Sequence, residues 1–296
     1  MSREALSFPA YMPFLLFSKE GIRVKLAFTK MHGCGNNYIY FNCFDQTVPD
    51  PESLSIKLSE PHFGIGGDGI ILISPSDKAD AQMRIFNADG SEGKMCGNGI
   101  RCVGKYLYDN GMVGGRTTIT IDTLSGVKTL ELHVRDGKMQ TARVDMGAAI
   151  LEPAKIPVNM AGSSVIDAPL VVDEKVYHVT CVSMGNPHCV IFFNEDDVDD
   201  LDLSRLGPKF EHHPLFPERI NTEFVNVLPD GSLKMRVWER GSGETWACGT
   251  GACATGVAAC LNGFCKPDTD ITVHLRGGDL TIRYTTETVF MTGAAA

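Results

Sequence analysis

The chain lacks several features that would place it in common protein classes. Its 296 residues contain no apolar run of the roughly 20 residues that a membrane-spanning helix needs. Its net charge is −9, whereas nucleic acids and acidic membrane surfaces attract basic proteins. Ten cysteines are present, yet no C-x-x-C pair occurs, and this scatter is typical of reduced cytoplasmic thiols rather than a disulfide framework. We therefore expect a cytoplasmic protein with no nucleic-acid partner and no membrane partner.

The motifs of several large enzyme classes are also missing. No Ser-His-Asp arrangement and no H-E-x-x-H zinc motif is legible, and no sequence marks a lysine for pyridoxal phosphate. The glycine-dense segment Gly64–Gly69 lacks the Lys-Ser/Thr of a phosphate-binding loop, and its spacing does not fit the dinucleotide fingerprint. The spacings from Cys96 to Cys102 and from Cys248 to Cys253 do not match zinc-ligand pairs. We expect neither a metal nor a cofactor.

The N-terminal residues 1–23 form a separate segment. Phe14–Phe17 is apolar, but Pro9 and Pro13 break the stretch. No basic cluster precedes it, and no clear small-residue cleavage site follows it. This pattern favours an N-terminal extension over a signal peptide.

The most informative feature that is present is a repeat centred on a cysteine. Residues 83–99 read MRIFNADGSEGKMCGNG and residues 235–251 read MRVWERGSGETWACGTG, so Cys96 and Cys248 align without a gap at an offset of 152 positions. A weaker echo, at an offset of 150, relates GNNYI at 35–39 to GNPHC at 185–189. Solenoid repeats have periods of about 20–50 residues, so a repeat of this length indicates a duplicated domain.

Local patterns predict an α+β chain with two sheet-rich halves, each with one central helix that begins just after its repeat cysteine. The predicted helices are Pro51–Glu60, Gly99–Asn110, Leu201–Lys209 and Gly251–Asn262. The predicted strands are Val24–Thr29, Tyr38–Phe44, Ile70–Ile73, Gln82–Phe86, Thr117–Asp122, Thr129–Val134, Gln140–Val144, Tyr177–Val182, Cys189–Phe193, Glu223–Val227, Lys234–Glu239, Ile271–Leu275 and Leu280–Tyr284. We expect a first half over 24–146, a second half over 147–288, and a final strand over 289–296 that returns to the first half.

The repeated cysteines lie where a helix start can act on them. The first turn of a helix offers unpaired N–H donors and a partial positive charge, which suit a carboxylate and also a thiolate. A helix end supplies at most about 2 kcal/mol, or roughly 1.5 pKa units, so it would bring a thiol of pKa ~8.5 only near neutrality. We therefore expect a second polar group beside each sulfur, and His188 and Glu239 are the candidates.

Two such thiols, one from each half, could serve as acid and base on opposite faces of one carbon. The alternative is that Cys96 and Cys248 are small buried residues that open helices, as free cysteines often are. The gapless repeat of the same glycine-rich setting favours the catalytic interpretation. His188 could equally be a hydrogen-bonded turn residue.

The chain resembles the diaminopimelate epimerase family from about Val24 to Gly293. The motifs that carry the resemblance are KMHGCGNNY at 30–38, FNADGSEGKMCGNGIRC at 86–102, SMGNPHCV at 183–190, INTEFV at 220–225 and ERGSGETWACGTGACA at 239–254. The resemblance implies two pseudo-symmetric domains, each a curved mixed or antiparallel sheet around a central helix, with the active site in the cleft between them. It also implies a cofactor-independent isomerase of lysine and peptidoglycan precursor synthesis, which interconverts the LL and meso forms of 2,6-diaminopimelate.

The resemblance assigns roles residue by residue. Cys96 and Cys248 are implied to be the catalytic acid and base, and His188 and Glu239 the residues that tune the thiols. The implied substrate-binding residues are Asn36, Asn87, Gly97, Asn98, Asn186, Asn221, Glu239, Arg240, Gly249 and Thr250. A zwitterionic substrate with two amino-acid ends suits several neutral amides and one guanidinium, because Arg binds carboxylates in a bidentate way.

The chain departs from the family in three places. Gly69 follows Asp68 where many members have Gln, so we expect that contact to be missing, or supplied by Asp68 or by a backbone group. The N-terminus is extended by about twenty residues, and the C-terminal VFMTGAAA stops early. A racemase for proline or hydroxyproline, a non-catalytic amino-acid-binding protein and a homodimeric assembly stay open from the sequence.

Overall fold

A computed structural model of the protein describes residues 14–17, 23–193 and 196–296. The described residues form two compact units. The first contains those up to Ala142 together with Ala294–Ala296, and the second runs from Arg143 to Gly293. Within these ranges no helix is both long enough and apolar enough to cross a membrane. Most of the predicted N-terminal extension, residues 1–13 and 18–22, lies outside the described residues.

The first unit consists of strands and two helices. Its strands are Phe14–Phe17 (β1), Arg23–Leu26 (β2), Thr29–Gly33 (β3), Asn36–Asn42 (β4), Gly69–Ser74 (β5), Ala81–Asn87 (β6), Glu92–Gly93 (β7), Thr118–Thr123 (β8) and Gly126–Arg135 (β9), and Lys138–Asp145 (β10) follows. Its helices are Pro51–Ser59 (α1) and Gly97–Asp109 (α2). β1 and β2 form a two-stranded hairpin. Strands β4 and β5 pair in parallel, and so do β6 and β8, whereas β3–β4, β5–β6 and β8–β9 are antiparallel.

The second unit has the same character. Its strands are Ala168–Val172 (β11), Lys175–Ser183 (β12), Pro187–Phe193 (β13), Asn221–Val227 (β14), Leu233–Glu239 (β15), Gly243–Thr245 (β16), Ile271–Leu275 (β17), Gly278–Tyr284 (β18) and Val289–Ala294 (β19). Its α-helices are Leu203–Glu211 (α3) and Gly249–Leu261 (α4). Short 3₁₀ turns lie at Pro153–Lys155 and Val198–Asp200.

The order of elements is duplicated. The series β3, β4, α1, β5, β6, β7, α2, β8, β9 corresponds to β12, β13, α3, β14, β15, β16, α4, β17, β18. The parallel pairs correspond as well, because β13 pairs with β14 and β15 with β17 in the second unit. The predicted duplication of an α+β domain is therefore confirmed.

Equivalent glycines let each central helix lie close to its sheet. A Cβ on Gly104 would lie 2.9 Å from Leu130 Cδ2, and a Cβ on Gly256 would lie 2.7 Å from Ile282 Cγ2. Gly104 and Gly256 are 152 positions apart, and so are Leu130 and Ile282. The repeat in the sequence is therefore also a repeat in the packing. The helices α2 and α4 are thereby held with their first turns fixed.

Helix ends explain where the predictions are offset. All four predicted helices exist, but α2 and α4 begin at Gly97 and Gly249, two residues earlier than predicted, because each repeat cysteine is itself the N-cap. The third helix begins at Leu203, two residues later than predicted, because the side chain of Asp202 accepts a hydrogen bond from Arg205 N and starts it there.

Among the strands, the predicted single strand Val24–Thr29 is wrong. The chain instead ends β2 at Leu26 and begins β3 at Thr29. The prediction also omitted β11, whose sequence APLVV is short and contains a proline.

The C-terminal residues pair with the first unit. His32 N donates to Ala296 O at 2.7 Å, and Ala296 N donates to His32 O at 3.0 Å. The buried guanidinium of Arg101 donates from Nε to Ala294 O at 3.2 Å. The last residues of the predicted final strand 289–296 thus have partners in the first unit, whereas β19 itself pairs with β18 of the second unit.

The core of the second unit supplies a stability test. Phe210 is fully buried, and its ring meets those of Tyr177 and Phe224 edge to face at centroid distances of 5.1 and 5.7 Å. We expect Phe210→Ala to lower the free energy of unfolding by about 3–5 kcal/mol, because it removes these contacts and leaves a cavity. Urea denaturation followed by tryptophan fluorescence measures this, since both tryptophans, Trp238 and Trp246, lie in the second unit.

The matched control is Phe63→Ala, since Phe63 is 93% exposed. That change should alter stability by no more than about 0.5 kcal/mol. A loss below about 1 kcal/mol for Phe210→Ala would contradict the packing described.

Candidate active site

Cys96 caps the central helix of the first unit. Its backbone is extended, with φ −134° and ψ 117°, and its Sγ accepts a hydrogen bond from Gly99 N at 3.4 Å. The thiol in turn donates to Asn36 Oδ1 at 3.3 Å. The sulfur therefore lies at the positive end of the helix, beside an amide that the sequence predicted to bind substrate.

Asp68 fixes the orientation of that amide. One carboxylate oxygen, Oδ2, accepts from Asn36 Nδ2 at 2.8 Å and from Asn37 N at 2.7 Å. Because Asn36 Nδ2 is committed to a carboxylate, Asn36 Oδ1 must face Cys96, and only a protonated thiol can donate to it.

Tyr38 lies beside the same sulfur. Burial, and then the negative charges of Cys96 and Asp68, raise the pKa of the Tyr38 hydroxyl well above its usual value. The hydroxyl therefore stays protonated over the whole neutral range.

Cys248 caps the central helix of the second unit in the same way. Its φ and ψ are −118° and 110°, its Sγ accepts from Gly251 N at 3.3 Å, and its Sγ lies 3.5 Å from Thr250 Oγ1. The residue is 6% exposed. The two repeat cysteines thus have the same backbone geometry and the same helix-start hydrogen bond.

Ionisable side chains surround Cys248. Ligand atoms of His188, Glu223 and Cys248 all lie within 4.8 Å of one another. Glu239 also hydrogen-bonds Cys248, and its carboxylate accepts from Thr245 Oγ1. Both predicted thiol-tuning residues, His188 and Glu239, therefore lie beside Cys248.

These neighbours change the acidity of the thiol. Burial, and then the charges of Glu239 and Glu223, raise the pKa of Cys248 well above its usual value. Burial also raises the pKa of Glu239, against the opposing hydrogen bond from Thr245. The expectation that the helix start would bring this thiol near neutrality is therefore wrong for Cys248, because desolvation and two carboxylates outweigh the helix.

The trio of His188, Glu223 and Cys248 also has the donor types of a zinc site. However, His188 Nδ1 and Glu223 Oε1 already lie 2.7 Å apart as a hydrogen-bonded pair. A metal would have to break this bond. As they stand, these side chains are placed to share a proton between His188 and Glu223, and not to bind a metal.

Other predicted binding residues of the first unit have protein partners. Arg101 donates to Gly97 O and to Asn98 Oδ1, both at 3.0 Å. Asn87 Nδ2 donates to Ser91 Oγ at 3.0 Å. Gly97 and Asn98 open α2 directly after Cys96, so the structure brings them to the thiol, whereas the Asn87 side chain is tied to its own turn.

In the second unit, Asn186 bridges two site residues. Its Oδ1 lies 3.1 Å from His188 Nε2, and its Nδ2 donates to Thr250 Oγ1 at 3.3 Å. Gly249 and Thr250 open α4 directly after Cys248. The structure therefore gathers Asn186, Gly249 and Thr250 around this thiol.

Asn221 and Arg240 form a second group. Asn221 is 4% exposed, its Nδ2 donates to Pro187 O at 2.7 Å, and its Oδ1 accepts from Arg240 N at 2.9 Å. The exposed Arg240 donates from its guanidinium to Glu218 O at 3.0 Å. The amide of Asn221 thus links the backbone at Arg240 to the start of β13 at Pro187.

The backbone conformation at position 69 explains why the residue is glycine. Its φ is +150°, and a Cβ there would lie 2.1 Å from Phe86 O. This conformation and the close carbonyl leave no room for a Gln side chain at position 69. One oxygen of the neighbouring Asp68, Oδ2, is committed to Asn36 and Asn37.

Two buried charged residues near the site were missed from the sequence. Glu223 and Arg101 are both 0% exposed. Glu223 stands in a strand whose first five residues are buried, NTEFVNV, at the repeat position of Ile71. A carboxylate in one copy of the repeat, at a buried position where the other copy has isoleucine, is the sequence signal that could have identified Glu223.

A Ser-His-Asp contact exists, although the sequence showed no such motif. Ser232 Oγ lies 3.2 Å from His274 Nε2, and His274 Nδ1 lies 2.8 Å from Asp279 Oδ1. However, the serine hydroxyl donates to Asp230 at 2.6 Å, and Ser232 N donates to the same carboxylate. Because its proton goes to Asp230, Ser232 is a turn residue and not an activated nucleophile.

One cavity of about 480 Å³ lies elsewhere in the second unit, beside β12 and β13, where His178, Phe192 and Phe264 contribute to its lining. None of the predicted site residues lines it. The two repeat cysteines therefore lie at helix starts outside this cavity.

The raised pKa of Cys248 gives a direct test in the Cys96→Ala variant. The thiolate is the reactive form, so iodoacetamide should alkylate Cys248 slowly at neutral pH, at a rate still rising above about pH 9. Glu239, Glu223, His188 and Thr250 are the groups that face this sulfur. Mass spectrometry of the Cys248 peptide measures the rate.

A blocked, unstructured cysteine peptide in the same buffers is the control, and its rate should level off as it titrates near ~8.5. If the alkylation rate of Cys248 levelled off below about pH 8, the helix start would lower the thiol pKa more than burial and the two carboxylates raise it.

Known proteins share this sequence and fold. The sequence pattern of a family described as diaminopimelate epimerase matches residues 28–152 and 180–296. A diaminopimelate epimerase of Agathobacter rectalis is 56% identical over 279 residues, which cover 91% of this chain and 96% of that protein. One from Acetivibrio thermocellus is 55% identical over 272 residues, which cover 91% and 95%.

Among solved structures, a probable proline racemase of Agrobacterium radiobacter K84 superposes with a TM-score of 0.66 at 16% identity, covering 91% of this chain and 90% of that one. A hydroxyproline epimerase of Agrobacterium vitis gives a TM-score of 0.64, also at 16% identity, with coverages of 91% and 88%. These likenesses concern the fold alone, and they confirm its predicted class. At the level of sequence, the chain belongs to the diaminopimelate epimerase family.

Proposed function

We propose that this protein interconverts LL-2,6-diaminopimelate and the meso form by a two-cysteine acid–base mechanism. Family membership supports the substrate and the reaction. The observation that carries the mechanism is that Cys96 and Cys248 occupy the same N-cap position in duplicated units. Core packing alone gives no reason to keep both sulfurs beside a helix-start N–H and a polar side chain.

The reaction needs only proton transfers. One sulfur, as thiolate, takes the α-proton and becomes a thiol, while the other thiol gives its proton to the opposite face of the same carbon and becomes a thiolate. The C–H electron pair stays on carbon between the two events, as a carbanion conjugated with the carboxylate. Atoms and charge balance without an oxidant or a cofactor, and the reverse reaction exchanges the roles of the two sulfurs.

Glu239 supplies a route to the first thiolate at Cys248. Its carboxylate hydrogen-bonds the thiol, and burial raises its pKa, which makes it a better base than an exposed carboxylate. In the proposed step the S–H bond of Cys248 breaks and an O–H bond forms on Glu239. The positive ammonium group of a bound amino acid would favour this transfer, because it offsets the charge that develops on sulfur.

The helix starts bind the reacting carboxylate. Backbone N–H groups of Gly97, Asn98, Gly249 and Thr250 belong to the first turns of α2 and α4, where a helix presents donors and positive potential to an anion. As negative charge builds up on the substrate carboxylate during proton removal, these fixed donors stabilise it more than they stabilise the ground state.

The remaining polar residues bind the other polar groups of the substrate. We propose that Asn36 and Asn186 contact the reacting amino-acid end, because each lies beside a thiol. Arg240 suits the distal carboxylate, and Asn221 positions its loop. Asn87, whose side chain bonds Ser91, contributes by holding the shape of its own turn.

Several proposals follow from the composition and the reaction class. We propose that the enzyme works in the cytoplasm, where scattered cysteines without a C-x-x-C pair stay reduced. Its partner is the small-molecule substrate, with no nucleic acid and no membrane, and a homodimer is the assembly that we propose to test first. Pyridoxal phosphate and metal ions have no part in the proposed steps.

Removing either sulfur should stop the reaction. We expect Cys96→Ala and Cys248→Ala each to lower epimerase turnover by at least about 10³-fold, because each deletes one of the two proton-transfer groups. Conversion of LL-diaminopimelate, followed by chiral chromatography, measures the loss, and circular dichroism reports the fold.

The matched controls are Cys43→Ala in the first unit and Cys265→Ala in the second, since both thiols are partly exposed and lie outside the proposed site. These variants should keep activity within about threefold of the parent. If either site variant kept more than about a tenth of parental turnover, the two-base mechanism would be wrong.

Substrate choice is tested separately by offering L-proline and LL-diaminopimelate in deuterated water. The proposal expects α-deuterium to enter diaminopimelate and not proline, because proline has no second amino-acid end for Arg240 to bind. Exchange with proline alone would favour the racemase alternative. Binding of diaminopimelate without exchange would indicate an amino-acid-binding protein.

A further inference from the structure

Glu223 is a buried carboxylate with one clear partner. The residue is 0% exposed and lies in the middle of β14. Its Oε1 lies 2.7 Å from His188 Nδ1, and both side chains are wholly shielded from solvent. Its second oxygen, Oε2, is buried and has no hydrogen-bond partner. A carboxylate this poorly solvated is costly unless a positive group faces it.

The other edge of the histidine leads towards the thiol. His188 Nε2 lies 3.1 Å from Asn186 Oδ1, Asn186 Nδ2 donates to Thr250 Oγ1, and Thr250 Oγ1 lies 3.5 Å from Cys248 Sγ. Both ring nitrogens thus face oxygen atoms. The ring is thus held between the Glu223 carboxylate on its Nδ1 side and the Asn186 amide oxygen on its Nε2 side.

The duplication provides an internal comparison. Strand pairing places Ile39 opposite Ile70 in the first unit and Cys189 opposite Thr222 in the second, so Ile71 corresponds to Glu223 and Tyr38 to His188. The first unit therefore has an isoleucine and a tyrosine where the second has a carboxylate and an imidazole.

The two side chains fill the same space beneath the helix start. A Cβ on Gly99 would lie 2.7 Å from Ile71 Cδ1, and a Cβ on Gly251 would lie 2.6 Å from Glu223 Oε1. An apolar residue therefore fits this slot, as the first unit demonstrates. Packing does not explain why the second unit carries a charge there.

Resting on the function proposed above, we infer that Glu223 is a positioning residue that acts through His188 and makes Cys248 chemically different from Cys96. It holds the imidazole by Nδ1, so that the Nε2 edge fixes the amide of Asn186 and, through it, the Thr250 hydroxyl at the start of α4. Its charge also keeps Cys248 in the thiol form until substrate arrives. The duplicated enzyme thus has two geometrically equal but electrostatically unequal acid–base groups.

Glu223→Gln, which keeps the shape and removes the charge, tests this inference. Turnover of LL-diaminopimelate should fall about 10- to 100-fold, the usual effect of losing a partner that orients a functional histidine. In a Cys96→Ala background, the alkylation profile of Cys248 should move to lower pH, because one carboxylate facing it is gone while Glu239, His188 and Thr250 remain. In a Cys248→Ala background, the profile of Cys96 should not move.

Glu287→Gln is the matched control, since Glu287 is exposed and lies in the same unit. It should leave turnover and both profiles unchanged. Turnover of Glu223→Gln within about threefold of the parent, a Cys248 profile that does not move to lower pH, or an equal shift at both cysteines would each overturn the inference.

A measurement on the parent protein covers the case in which Glu223→Gln does not fold. Nitrogen-15 chemical shifts of the His188 ring should show a proton on Nδ1, the nitrogen that faces the Glu223 carboxylate. A ring without a proton on Nδ1 would overturn the inference. Alkylation and ring shifts need no substrate, so they remain informative even if the parent fails to epimerise diaminopimelate, which would overturn the proposed function instead.

Discussion

Each unit depends on a cysteine sulfur that accepts a hydrogen bond from the first turn of the central helix. Gly99 N donates to Cys96 and Gly251 N donates to Cys248, at 3.4 and 3.3 Å. This bond starts the helix and at the same time fixes the sulfur beside the donors that suit a carboxylate. Structure and chemistry therefore use the same atoms, and this is why the repeat around the cysteines is free of gaps.

The duplicated framework does not make the two thiols equal. In the first unit Cys96 donates to Asn36, whose amide is aligned by Asp68. In the second unit burial and nearby carboxylates raise the pKa of Cys248. At Cys248 the thiol form is thus favoured, and the proposed mechanism requires its activation to come with substrate binding. A thiol that ionises only beside its substrate is also less exposed to unwanted oxidation, because the thiolate is the reactive form.

Much of the fold was predictable because periodicity and turn residues report local structure. All four helices were found, and the offsets at α2 and α4 arose because a cysteine is an unusual N-cap. The two N-cap cysteines could be singled out because the repeat marks both of them, and their catalytic role stays a prediction. The partners of Cys248 were predicted only in part, because Glu223 reaches His188 across two neighbouring strands and no local pattern reports that contact. Likewise, only the backbone geometry explains Gly69.

The most direct test of a two-base mechanism follows a single turnover of LL-diaminopimelate in deuterated water. If two separate sulfurs act, the meso product should carry deuterium at the inverted carbon from the start, while recovered LL substrate should still carry protium. The product receives its proton from a group that has exchanged with solvent, and not from the base that removed the original one. Product that keeps the original proton would mean that a single base serves both faces, and would contradict the account.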